Sequence, residues 1–175
     1  MDDIKTLIGH SVDAIERGDA LALRTVSAKA LSEAAIEGHR ELILLALIDY
    51  ALSKIMSKTH YKGLEKKFYD DIKSRLMDAR LGPKEETIRH LEAIEDRVIK
   101  LDAREGNYAE NVIEKARVKK AAKLYEQGFS LRRASELTGA DPVKVLHYVG
   151  GSKIHEFHGM GKNAERLEVA RRVFG

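Results

Sequence analysis

The chain has 175 residues, of which 43% are apolar and 34% charged, enough to bury a hydrophobic core in one or two domains. Because it contains no cysteine, disulfides, thiolate zinc sites and cysteine nucleophiles are excluded. The formal net charge of +3 is uneven, since residues 107–175 hold 13 Lys and Arg against 8 Asp and Glu.

Amphipathic spacing predicts three helices in the first third of the chain. The first covers residues 4–17 and has a single apolar stripe. The second covers residues 19–37, with Leu21 and Ile36 among the residues expected to face inward. The third covers residues 40–57 and begins with the run LILLALI, which is apolar on every side. We therefore expect the third helix to be the central, most enclosed helix of a bundle.

Two breaks divide the following part of the chain. More polar helices are predicted over residues 60–80 and 84–103, separated by Gly82-Pro83. Gly106-Asn107 marks the second break, and a long helix is predicted after it, over residues 108–127. No alternating pattern typical of a strand extends over more than four residues. These patterns predict an all-α protein.

The second break is the predicted domain boundary. Residues 1–106 are expected to form an N-terminal bundle of about five helices, and residues 107–175 a basic C-terminal domain. A basic second part is typical of a module that binds an anionic partner. Ordinary surface charge is the alternative explanation.

The most informative stretch is GFSLRRASELTGADPVKVLHYVG, residues 128–150, which predicts two short helices joined by a tight turn. Ser130 is expected to cap the first helix, and Asp141 the second. Gly139 follows the first helix, where a left-handed residue is favourable. Pro142 occupies the first turn of the second helix, where its missing N–H has no cost.

The second helix of this stretch has two distinct faces. Val145, Tyr148 and Val149 are spaced to face inward, against the small residues of the first helix. Val143 and Leu146 are predicted to face outward.

The segment LRRASELTGADPVKVLHYV resembles the helix-turn-helix superfamily. The longer segment AAKLYEQGFSLRRASELTGADPVKVLHYVG is similar to the small prokaryotic helix-turn-helix proteins that serve as antitoxins or local repressors. The resemblance implies that the second helix enters the major groove of DNA and that the first crosses the phosphate backbone. It does not extend to residues 1–106, for which no family is identified.

The resemblance also implies roles for individual residues. Lys144 and His147 are the candidates for reading bases, with Val143 or Leu146 against a thymine methyl group. The basic residues expected to contact phosphates or to extend the positive surface are Arg132, Arg133, Lys119, Lys120, Lys123 and Lys153.

Two functional hypotheses follow. The first is a non-enzymatic DNA-binding regulator that forms a homo-oligomer, its bundle dimerising or receiving a partner. The second is an interaction or scaffold protein, because the second helix of the motif has no Arg, Asn or Gln, and its outward Val143 and Leu146 suit a protein partner.

No catalytic residue, metal ligand or cofactor is predicted. After Gly151 the segment SKIHEFHGMGKN is expected to be an extended arm, in which His155, Glu156 and His158 are ordinary polar surface. A final helix is predicted over residues 164–174. No apolar run reaches the roughly 18 residues that span a bilayer, and MDDIKTLIGH lacks the basic start of a signal peptide. A cytoplasmic protein without a membrane partner is therefore expected.

Overall fold

The computed structural model describes residues 3–37, 39–58, 66–104 and 111–159, apart from the side chains of residues 37, 102, 104 and 152–159. Within these ranges the chain forms eight helices and no strand, which confirms the all-α prediction. The helices are α1 (Ile4–Glu16), α2 (Ala20–Glu37), α3 (Arg40–Ser57), α4 (Lys66–Leu81), α5 (Lys84–Arg104), α6 (Val112–Glu126), α7 (Leu131–Thr138) and α8 (Pro142–Gly159).

Helix α3 is the centre of the bundle, as its all-round apolar sequence predicts. It packs against α1, α2, α5, α6 and α7. Between Glu41 and Ile55 every residue is buried except Tyr50 and Lys54. Burying each large aliphatic side chain of such a helix contributes about 1.5–3 kcal/mol to stability. None of the described helices, α3 included, has the length and apolar character needed to cross a membrane.

Helix α2 begins where predicted, but two of its residues do not face inward. The backbone N–H groups of Leu21 and Ala22 donate to the Asp19 carboxylate at 3.0 and 2.9 Å, so Asp19 caps the helix. Leu21 is 71% exposed and Ile36 is 76% exposed, so the inward prediction for these two residues is wrong. Successive residues turn by about 100° in a helix, which places Leu21 about 160° and Ile36 about 140° around the helix axis from the buried Leu23.

Helices α4 and α5 form a hairpin that closes the bundle. Helix α4 packs against α1, and α5 packs against α3. The Thr87 hydroxyl donates to the Ala79 carbonyl at 2.7 Å and so joins the start of α5 to the end of α4. The inward spacing of these helices is confirmed at most positions, while Ile88 and Leu101 are only partly buried. The inward-facing residues that are buried are Phe68, Ile72, Leu76, Leu91, Ile94 and Val98.

Helix α6 connects this bundle to the last two helices. It contacts α3 and α5 on one side and α7 and α8 on the other. One continuous cluster of buried apolar residues therefore extends from Leu7 in α1 to Val149 in α8. The predicted boundary at Gly106-Asn107 lies outside the described residues, and the division into two domains stays a prediction.

The extended arm predicted after Gly151 is wrong as far as residue 159. Helix α8 continues through Gly150 and Gly151 to Gly159. A glycine inside a helix costs only about 1 kcal/mol relative to alanine, and the buried Val145 and Val149 anchor the preceding turns. The final helix predicted over residues 164–174 lies outside the described residues.

The contact between α3 and α6 contains a buried ionisable pair. Asp49 is fully buried, its Oδ2 accepts a hydrogen bond of 2.8 Å from the Ser11 hydroxyl, and its Oδ1 has no hydrogen-bond partner. Lys120, only 8% exposed, is the charged residue of α6 that acts on it. Burial raises the pKa of Asp49 to about 8 and lowers the pKa of Lys120 to about 8.

This pair makes stability depend on pH. Because the pKa of Asp49 is raised from 3.8 to about 8, folding takes up a proton between these values. The free energy of unfolding therefore falls as pH rises through this window, by up to about 1.4 kcal/mol per pH unit. For Lys120, lowered from 10.5 to about 8, the sign is opposite, and its contribution rises with pH above about 8.

We therefore predict that Asp49→Asn removes the decline in stability below pH 8. Urea unfolding from about pH 5 to pH 8 should show the unfolding free energy of the variant rising relative to that of the wild type. Asp13→Asn, which changes an exposed carboxylate on α1, is the matched control and should follow the wild-type profile. Parallel profiles for Asp49→Asn and wild type would contradict the prediction.

Candidate nucleic-acid interface

The last three helices form a compact unit around the small and β-branched residues of α7 and α8. Helix α8 packs against both α6 and α7. Val145 is fully buried and Val149 is 5% exposed, as their spacing predicts, whereas Tyr148 is 39% exposed. Ala134 and Ser135 of α7 are buried, which lets α7 lie close to its neighbours. We call α6, α7 and α8 the C-terminal three-helix unit.

Local hydrogen bonds set the ends of these helices. The Asn111 side chain accepts from the backbone N–H of Ile113 at 2.8 Å and caps α6. Ser130 accepts from the N–H of Arg133 at 3.2 Å, which confirms the predicted cap of α7. The carboxylate of Asp141 accepts from the N–H of Val143 at 2.8 Å and caps α8, also as predicted.

Gly139 makes the turn between α7 and α8. It has the predicted left-handed conformation, with φ of 69°. The N–H of Ala140 donates to the Ser135 carbonyl at 3.2 Å, which satisfies one of the carbonyls at the end of α7. A Cβ added at Gly139 would lie 3.7 Å from the Arg117 guanidinium, so the turn rests beside that side chain.

The outer face of α8 is exposed, and it is more apolar than basic. Val143 is 73% exposed, Leu146 is 49% exposed, and His147 is also exposed. Lys144, a predicted base-reading residue, forms an ion pair with Glu114 at the start of α6. Of the two predicted base-reading side chains, His147 therefore lies on the open face, and Lys144 lies on the flank that contacts α6.

The two arginines of α7 lie in its first turn and are exposed. Arg132 is 89% exposed, and its Nε donates to Glu136 Oε1 at 2.8 Å, one helical turn further on. This hydrogen bond holds the pKa of Glu136 below its ordinary value. An exposed pair of this kind contributes little to stability, so a phosphate can compete with Glu136 for the guanidinium. Arg133 is exposed on the same turn.

On α6, the structure places Lys119 at the junction of three helices. Its Nζ lies 5.7 Å from the Tyr50 ring centroid in α3 and 5.8 Å from the Tyr148 ring centroid in α8. A hydrogen bond with Tyr50 raises the pKa of Lys119, so the ammonium charge persists well above neutral pH. Lys119 thus remains half-buried beside the flank of α8, as a cation held in place by two aromatic residues.

Lys120 does not belong to an outer surface, which corrects its sequence-based assignment. Its side chain points into the α3–α6 contact, with Nζ at 5.1 Å from the Tyr50 ring centroid. Lysine is amphipathic, so its long stem can be covered by apolar neighbours. Lys54 is not among the residues predicted for the site, but its Nζ lies 5.4 Å from the centroid of the Tyr50 ring. The sequence could have indicated Lys54 as a site residue. Tyr50 and Lys54 are one turn apart, and they are the two residues between Glu41 and Ile55 that are not buried.

We call Tyr50, Lys54, Lys119 and Tyr148 the junction cluster. The ammonium groups of Lys54 and Lys119 lie 5.4 and 5.7 Å from the centroid of the Tyr50 ring, and that of the buried Lys120 lies 5.1 Å from it. Asp49 does not offset this charge fully, because burial favours its neutral form. Such crowding of like charges is favourable for a bound anion.

Other sequence-based candidates lie outside the described side chains. Lys153 is on the last turns of α8, where only the backbone is described, and the same holds for His155, Glu156 and His158. Elsewhere in the described part of the chain, no group of three or more His, Asp or Glu residues is placed to hold a metal ion. Comparison with models of known protein families, with curated proteins and with solved structures gave no match.

The turn glycine leads to a stability prediction. Gly139→Ala should lower the unfolding free energy by about 1–2 kcal/mol, because an L side chain is strained at a left-handed φ. Gly150→Ala is the matched control. That glycine is helical, and its added Cβ would meet nothing within 4 Å, so alanine should raise stability by about 1 kcal/mol. Chemical unfolding of both variants measures the difference, and equal effects would contradict the role of the turn.

Proposed function

We propose that the chain is a non-enzymatic DNA-binding regulator in which α8 enters the major groove. One observation carries the proposal. The inner face of α8 packs against α6 and α7, its outer face is exposed, and α6 and α7 carry cationic side chains. A helix presented in this way can lie in a groove while cations on each side contact the phosphate backbones. The resemblance of residues 128–150 to the helix-turn-helix superfamily supports the same function.

Phosphate contacts supply the affinity in this proposal. Arg132 and Arg133 contact one backbone from the first turn of α7, and Lys119 contacts the other from the α6 side of α8. Tyr148 adds a hydroxyl group beside Lys119, and Lys54 extends the cationic surface onto α3. These groups carry no sequence information, because phosphates are alike at every step of the duplex.

Base reading is limited to few side chains. His147 is the exposed polar residue on the outer face, and Val143 with Leu146 can contact thymine methyl groups. Because one unit reads few bases, we expect a homodimer that binds two half-sites on the DNA. The bundle would then serve as the dimerisation or partner-binding part.

A protein-binding role is the second candidate, and the exposed Val143 and Leu146 favour it. These side chains are 73% and 49% exposed and form an apolar patch on the outer face of α8. The ion pair of Lys144 with Glu114 lies on the flank that contacts α6. Apolar side chains clustered on an exposed helix are typical of protein interfaces. In this alternative the partner covers the same face of α8 that DNA would cover, and a second copy of the chain is the first partner to test.

The phosphate contacts predict a specific salt dependence. Duplex DNA of mixed sequence, titrated at about 50 and 200 mM salt, should bind with an affinity that falls steeply with salt. Changing both Arg132 and Arg133 to Ala should weaken binding and reduce the slope of log K against log salt by about 2. Lys119→Met should reduce it by about 1.

Lys5→Ala combined with Arg24→Ala is the matched control. It removes the same charge from exposed positions on α1 and α2, so the salt slope of DNA binding should stay at the wild-type value. No binding at the lower salt concentration, or equal losses in the control and the α7 variant, would overturn the DNA-binding proposal.

Changing Val143 and Leu146 together to Ser distinguishes the second candidate. If the outer face of α8 binds another copy of the chain, the molar mass measured by light scattering should fall from dimer to monomer. Leu21→Ser combined with Ile36→Ser changes an apolar pair on α2 that is even more exposed. This control should leave that mass unchanged. An unchanged mass in the α8 variant would contradict self-association through this face.

A further inference from the structure

A cavity lies between the bundle and the C-terminal three-helix unit, away from the outer face of α8. It has a volume of about 320 Å³ and is lined by residues of α3, α5, α6, α7 and the turn that follows α7. This volume is at the lower end of the range for small-molecule sites. The cavity is therefore large enough for a ligand of metabolite size.

The cavity combines an apolar wall with charges of both signs. Ile43, Leu44 and Leu47 of α3 form one wall, and Leu137 of α7 contributes to the opposite side. The charged groups that line the cavity are Arg40, Glu95, Arg117 and Glu136. Arg40 and Glu136 are accessible at the rim, with side chains that are 69% and 49% exposed.

Of these charged groups, Arg117 has a buried donor that no acceptor satisfies. Its Nη2 lies 2.8 Å from Oε1 of Glu95, whose side chain is 11% exposed. Its Nε is buried and has no hydrogen-bond partner. A buried guanidinium N–H without an acceptor is unfavourable, and a ligand oxygen that reoriented this side chain would satisfy it. The guanidinium also lies beside Gly139, so its position is coupled to the turn between α7 and α8.

The geometry points to a binding site for a small zwitterion with an apolar side chain, of the class of the α-amino acids. The two guanidinium groups suit a carboxylate, which arginine binds through paired N–H donors. Glu136 and Glu95 suit an ammonium group. Ile43, Leu47 and Leu137 suit the aliphatic or aromatic side chain of the ligand.

The site also suggests regulation, and this part rests on the proposed function. The cavity is shared between the bundle and α7 with its turn, so a ligand stabilises one position of α7 relative to α3. If α8 binds DNA, any factor by which the ligand changes the DNA affinity must equal the factor by which DNA changes the ligand affinity.

Three probes that contain the same 3-methylbutyl skeleton test the ligand class. L-Leucine carries both charges, 4-methylpentanoate lacks the ammonium group, and isoamylamine lacks the carboxylate. Isothermal titration of the full chain without DNA should show L-leucine binding about tenfold or more tightly than either analogue, because each loses contacts to charged groups. No binding of L-leucine and of L-phenylalanine, or equal binding of all three leucine-related probes, would overturn the proposal.

Two rim variants locate the site without disturbing the core. Arg40→Gln should weaken L-leucine and 4-methylpentanoate about tenfold and leave isoamylamine unchanged. Glu136→Gln should weaken L-leucine and isoamylamine and leave 4-methylpentanoate unchanged. Arg24→Gln, at an exposed position on α2, is the control. Equal affinities in the wild type and both rim variants would place the ligand elsewhere and contradict the assignment.

A DNA titration with and without saturating L-leucine then tests the regulation. A changed DNA affinity, matched by an equal change of L-leucine affinity in the presence of DNA, supports coupling through α7. Binding of L-leucine with no change in DNA affinity overturns the coupling. If L-leucine binds and DNA does not, the DNA-binding function fails while the ligand site stands.

Discussion

The need to cover α3 on all sides governs this fold. A helix with an apolar surface all around has no face that water can solvate favourably, so other helices must enclose it. Helices α1, α2 and α5 cover most of it, and α6 and α7 cover the rest. Helices α6 and α7 are thereby part of the packing of the bundle. The contact between α3 and α6 brings together Asp49 and Lys120. Burial is unfavourable for the charged form of each residue.

This docking decides which surfaces of the C-terminal three-helix unit are open. With α6 held against α3, Lys119 and Lys120 of α6 lie at the junction with the bundle, and Lys119 lies near the rings of Tyr50 and Tyr148. The face of α8 opposite Val145 stays exposed. In the proposed function, the bundle therefore contributes to the DNA surface through Tyr50 and Lys54. Aromatic rings offset part of the repulsion among the neighbouring ammonium groups.

The contact between the bundle and the C-terminal three-helix unit, here called the seam, contains two polar regions. The junction cluster lies where α3 meets α6 and α8, and the amphipathic cavity lies where α3 and α5 meet α6 and α7. Arg117 spans part of this seam, from Glu95 to the turn at Gly139. Charged contacts tolerate small shifts better than close-packed apolar ones do. A seam of this composition suits an element whose position a ligand adjusts.

The helices up to Gly150, the enclosure of α3 and the turn between α7 and α8 follow from the amino-acid sequence alone. These features depend on residues within a few positions of one another: the caps at Ser130 and Asp141 and the glycine at 139 act locally. The burial of Lys120, the contact of Lys119 with Tyr50 across the junction and the position of the cavity follow from the packing of the helices. Those facts depend on how α6 is rotated against α3, and residues distant in sequence decide that rotation together.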